Sequence, residues 1–152
     1  MQRALVFLFA VTMFGVSACK SSGSSREDSH GFRSLLRGYG SGVRESGIRV
    51  ARSQEEWTKL WAEHSAHTLP RPQAPDIDWK NEMVVCVLLG ERPSGGFSIQ
   101  VEEVDDQSKP WIVYARERVP AEGALVPMMM TAPYHMVVTE RHDGEPRLVM
   151  RK

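Results

Sequence analysis

The stretch MVVCVLLG, Met83–Gly90, decides the fold. It is an unbroken apolar run rich in β-branched residues and too short for a helix of ordinary length, so it reads as a strand covered on both faces. The following segments behave differently. FSIQV alternates, with Phe97, Ile99 and Val101 on one side and Ser98 and Gln100 on the other, as a half-buried strand requires. WIVYARERV alternates again, and YHMVVTER and RLVM read as two further strands. Between the first two strands lies ERPSGG, where Pro93 pre-sets φ and Gly95-Gly96 supplies positive φ or room for a bulge; the sequence predicts a hairpin there. Asp143-Gly144 in HDGE predicts a second one.

Upstream, SQEEWTKLWAEHSA carries the S-x-x-E pattern of a capping box at Ser53 and Glu56, which predicts a helix starting there. Trp57, Leu60, Trp61 and His64 fall at i, i+3, i+4 and i+7, one stripe facing a core. Pro70, Pro72 and Pro75 keep the helix from continuing. These elements define an α+β domain: one main α-helix packed on a mostly antiparallel β-sheet of about five or six strands.

The amino terminus is of another kind. MQRALVFLFAVTMFGVSAC has one cation, Arg3, then an uncharged apolar run, then Ser17 and Ala18 before Cys19, the layout of a secretory signal. A spanning helix is the competing reading, but Ala4 to Ala18 reaches only ~22 Å at ~1.5 Å per residue, against a hydrocarbon core of ~30 Å. VSAC resembles the lipobox of bacterial lipoproteins, which implies cleavage before Cys19 and acylation of that residue. Several acyl chains would anchor the protein durably in a bilayer. After Cys19, the serine-rich and charged KSSGSSREDSHG has nothing to bury and reads as a flexible tether. FRSLLRGYGSG spaces Phe32, Leu35 and Leu36 as a helix does, yet glycines follow closely, so at most a short helix is expected. GYGSG lacks the spacing and the leading strand of a dinucleotide fingerprint. The organisation read from the sequence is a signal over 1–18, a tether over 19–37 and one domain over 38–152.

Composition excludes several partners. Lysines and arginines number 19 and so do aspartates and glutamates; cleavage after residue 18 removes only Arg3, leaving 18 against 19 and a net charge near −1. Bulk charge therefore recruits neither nucleic acid nor anionic lipid. Cys86, inside the apolar run, reads as a buried small hydrophobe. No GxSxG elbow, HExxH, phosphate loop or CxxC occurs. His64 and His67 lack a third ligand beside them, and Glu102, Glu103, Asp105 and Asp106 do not have the spacing of a calcium loop. No metal or cofactor is expected, and no catalytic set.

VPMMMTAPYH remains. Three consecutive methionines in an extended segment cannot all face one core, since neighbouring side chains point to opposite sides. Either part of Met128, Met129 and Met130 is exposed, which suits an adaptable contact surface, or the loop folds over the sheet and shelters them.

Together SGVRESGIRVARSQEEWTKLWAEH, PDIDWKNEMVV, LGERPSGGFSIQV and TAPYHMVV occur in the order and spacing of the protease-complex subunit PrcB family, which the chain resembles from about Gly38 to Glu140. Trp57 and Trp61 fall on that family's helical tryptophans, and Gly95, Gly96 and Phe97 on its threonine-glycine-glycine-tyrosine turn. Ser94 stands where threonine is usual, Phe97 where tyrosine is usual, and Trp79 replaces a common phenylalanine. The resemblance implies a lipoprotein of the cell envelope that associates with and stabilises an extracellular protease, with no catalytic residues. The expected contact residues are Ser94, Gly95, Gly96, Phe97, Met128, Met129, Met130 and Tyr134. Lys20 after Cys19 resembles the sorting pattern for the outer membrane. A second expectation is protease inhibition, because RPSGGF also resembles the glycine-aromatic loop of chagasin-like inhibitors of cysteine proteases.

Overall fold

The structure, a computed structural model, describes residues 31–151. The signal, Cys19 and most of the tether lie outside the described residues. Seven strands and one helix follow in the order β1 (Phe32–Gly38), β2 (Ser46–Ala51), α1 (Gln54–His64), β3 (Glu82–Leu89), β4 (Ser98–Asp105), β5 (Ile112–Arg118), β6 (Tyr134–Glu140) and β7 (Arg147–Arg151). They form two sheets, β1-β6-β3-β2 and β4-β5-β7, rather than one sheet of five or six strands. All pairings are antiparallel except β5 with β7.

Strand β3 shows why two sheets are needed. Met83, Val85, Val87 and Leu89 face the three-stranded sheet, where they meet Ile99, Val101, Val113 and Ala115. Val84, Cys86 and Leu88 face the other way and pack with Trp57, Leu60 and Trp61 of α1. The four-stranded sheet is thus the middle layer, with α1 on one face and the second sheet on the other. A middle-layer strand has no wet face, hence the apolar run.

Helix α1 begins where the capping pattern places it. Ser53 Oγ accepts from the Glu56 backbone N–H at 3.3 Å, while the Glu56 carboxylate accepts from the N–H of Arg52, one residue before the cap. Its buried residues are Trp57, Leu60, Trp61 and His64. The proline-rich segment after it satisfies the buried indoles: Trp57 Nε1 donates to the Pro75 carbonyl at 3.0 Å and Trp61 Nε1 to that of Pro72 at 2.9 Å.

Three expectations are corrected. Residues 32–37, read as tether and at most a short helix, are part of strand β1, whose pairing with β6 shifts register between Ser34 and Leu36. That bulge turns Leu35 and Leu36 both toward the α1 side while Phe32 enters the core between the sheets, and it imitates helical spacing. The expected hairpins are arches. Strands β3 and β4 lie in different sheets, as do β6 and β7, so each connection reverses the chain while crossing the core. At the second arch Gly144 does adopt positive φ, and Arg52 holds the loop by donating to the carbonyls of His142 and Gly144.

Candidate functional site

Strand register sorts the loops into two ends. Gly38, Ser46, Leu89, Ser98, Arg118 and Tyr134 mark one end of their strands, called here the tip; Phe32, Ala51, Glu82, Asp105, Ile112 and Glu140 mark the base. The described chain starts at the base, and the loops at 90–97 and 119–133 both lie at the tip.

These two loops are joined by backbone pairing. Arg92 N–H donates to the Thr131 carbonyl at 2.7 Å and Thr131 N–H to that of Arg92 at 2.9 Å; Gly95 N–H donates to the Pro127 carbonyl at 2.8 Å. Thr131 Oγ1 adds a bond to the Ser94 carbonyl at 2.9 Å. From the other side, Ala132 N–H donates to the Tyr39 carbonyl and Ser41 N–H to that of Ala132. The segment 127–132 is therefore pinned at both ends, at Pro127 by Gly95 and at Thr131 and Ala132 by Arg92, Tyr39 and Ser41, with the three methionines between.

The paired glycines follow from this closeness. A Cβ on Gly95 would sit 2.9 Å from Pro127 Cδ, and one on Gly96, at φ +87°, would sit 2.9 Å from Val126 Cγ1 and 3.0 Å from Pro120 Cβ. Only glycine permits both the approach and the conformation. The ERPSGG segment is thus a cradle for the second loop as well as a turn.

Of the expected contact residues, Met128 is 89 % exposed, Met129 59 % and Met130 60 %. Val119 and Leu125 of the same loop are also exposed, so the tip carries an apolar surface. Ser94 is half-buried, Gly95 buried and Gly96 exposed beside it. Phe97 is half-buried against the core between the sheets, with the Arg92 guanidinium 5.8 Å from its ring centre. Arg92 is held in turn by Glu117 and the Leu89 carbonyl. Tyr134 does not belong to the surface. It is 8 % exposed, its ring lies edge-on to His64 at 4.3 Å, and burial pushes its phenol above the ordinary range. The alternation at the start of β6 explains the difference: Tyr134, Met136 and Val138 all point toward α1.

Cys86, His64 and His135 are buried away from this tip surface. Cys86 is fully buried, and desolvation raises its thiol to about 12. His64 shares a 3.1 Å contact with Ser41 Oγ, and burial lowers its pKa. His135, 3 % exposed, accepts from the Val101 N–H at Nδ1 and faces Ser34 Oγ through Nε2 at 2.8 Å. Among the described residues, no group of three or more His, Cys, Asp or Glu side chains is placed to hold a metal ion. No helix among them is long and apolar enough to cross a membrane. Sequence reasoning missed Arg92, Pro127, Thr131 and His135; nothing local marks them, because each matters through a partner distant in the chain.

Residues 83–140 match the family model of the PrcB C-terminal domain. The likeness is to that domain and is confined to these residues, less than half of the 152-residue chain. It spans β3 to β6 and so includes both tip loops, the glycine cradle and the methionines, while α1 with Trp57 and Trp61 lies before it. Neither a curated protein nor a solved structure matches the chain.

Proposed function

We propose that the protein is a non-enzymatic subunit of an envelope or secreted protease complex, anchored through acylated Cys19 to the outer membrane, and that it binds and stabilises its protease through the tip. The PrcB match supports association with a protease complex. The observation that carries the choice of surface is the fixed loop with three outward methionines, since pre-ordered backbone lowers the entropy lost on binding and methionine adapts to its partner. A chain tethered at the base would present this tip away from the bilayer. For the inhibitor reading no observation speaks: the aromatic of the glycine turn, Phe97, packs inward under Arg92 instead of projecting.

The test isolates the full chain from its native envelope and measures acyl mass at Cys19 together with co-purifying proteolytic activity. The proposal expects an acylated chain that retains active protease, and at least about a tenfold loss of that activity when Met128, Met129 and Met130 are all changed to Ser. A retained but inactivated protease would favour inhibition. An unacylated Cys19 would remove the anchor.

A further inference from the structure

We propose that the groove between β1 and β4, the neighbouring edge strands of the two sheets, binds a carboxylate through Ser34, Arg37 and Gln100. The groove has a volume of ≈ 820 Å³ and lies apart from the methionine loop. Both strands that border it are bulged, β1 between Ser34 and Leu36 and β4 between Val101 and Glu103. In a regular strand Ser34 and Arg37 would point to opposite faces; the extra residue in β1 brings both into the groove.

The floor is His135. Its Nδ1 accepts from the Val101 backbone N–H at 2.8 Å, so the neutral ring carries its proton on Nε2 and donates it to Ser34 Oγ at 2.8 Å. With its oxygen already accepting, the Ser34 hydroxyl proton is left to donate outward. The chain from amide through imidazole to hydroxyl polarises that donor, which suits an anionic oxygen.

Charge completes the selection. Glu102 and Glu103 line the groove, but Arg116 and Arg151 neutralise them, with contacts of 2.5 Å from Arg116 Nε to Glu102 and 2.6 Å from Arg151 to Glu103. The Arg116 hydrogen bond, with Arg151 adding to it, lowers the pKa of Glu102, so this pairing stays ionised. Arg37 instead holds, among the described residues, only the neutral Gln100 Oε1, at 2.9 Å. Among the described residues lining the groove, Arg37 is therefore the one cation without a carboxylate partner, its remaining guanidinium N–H groups and the Gln100 amide N–H₂ can donate, and a single carboxylate matches both the charge and the donors.

The test titrates the full chain with N-acetyl-trialanine bearing a free carboxylate, with the same peptide as its amide, and with sodium acetate, following calorimetry and the Val101 amide resonance. The free acid is expected to saturate and to bind at least about tenfold more tightly than the amide, with Arg37→Gln weakening it about fivefold or more at unchanged melting temperature and Ser34→Ala weakening it similarly at a temperature where that variant is folded. A peptide acid much tighter than acetate assigns a chain terminus as the ligand; comparable affinities assign a free small carboxylate. Equal binding of acid and amide, absence of saturation by either acid, or full affinity in Arg37→Gln overturns the proposal. Arg37 is exposed, so its variant keeps the test valid if Ser34→Ala fails to fold.

Discussion

At the residue scale the paired glycines and the methionines make opposite predictions. Gly96→Ala forces a side chain onto φ +87° and against Val126 and Pro120, and is expected to destabilise by about 1–3 kcal/mol in denaturant titrations. Met129→Ser removes an exposed side chain and should leave stability within about 0.5 kcal/mol. Cys86 gives a third: with its thiol at about 12 and no exposed surface, it should resist a thiol reagent at pH 8 until the protein is unfolded, then react stoichiometrically. Some of this was legible in the sequence. Cys86 inside an apolar run read as buried in preference to reactive, and the consecutive methionines left two readings, exposed or sheltered, of which the structure shows the first. Tyr134 was not, because a tyrosine beside a loop reads alike whether its ring turns inward or outward; only the register of β6 shows that it faces His64.

At the element scale, periodicity served wherever a strand or helix was regular. The stripe on α1 and the two-sided burial of β3 follow directly from side-chain spacing. It failed on β1, where a bulge removed the period of two. Turn chemistry failed differently: Gly-Gly and Asp-Gly correctly mark reversals, but positive φ carries no information on whether the reversed strand joins the same sheet or the facing one. That choice is made by distant packing. His64, at the end of α1 between Trp61 and Tyr134, carries the prediction for this scale. Burial holds its pKa below 6.5, so the unfolded chain binds the proton more readily than the folded one. The contribution to stability is complete above about pH 6.5 and is lost as pH falls below it toward the folded value. Unfolding free energy should therefore drop between pH 7.5 and 5.5 in wild type, and the drop should shrink in His64→Gln. A flat profile in wild type would show that the imidazole titrates normally.

At the scale of the whole molecule, layering joins structure to function. A middle sheet covered on both faces is rigid, and the loops at its tip are tied to it and to each other, so an apolar surface can be displayed without collapsing onto the core. The first described strand enters at the base, opposite the loops at 90–97 and 119–133, so the proposed anchor and the proposed contact surface would fall at opposite ends of the domain. Helix, strand segments and candidate loops were readable in sequence; this polarity was not, because it depends on the strand register and on the pairing of distant loops, as between Ser94 and Thr131, 37 residues apart.

The most direct test of the tip as the contact surface places a photo-crosslinking residue at position 129, or at the exposed base position 106, in the full chain expressed in its native envelope. The account predicts a crosslinked protease partner from position 129 and none from position 106. Crosslinking from position 106 alone, or equally from both, would contradict it.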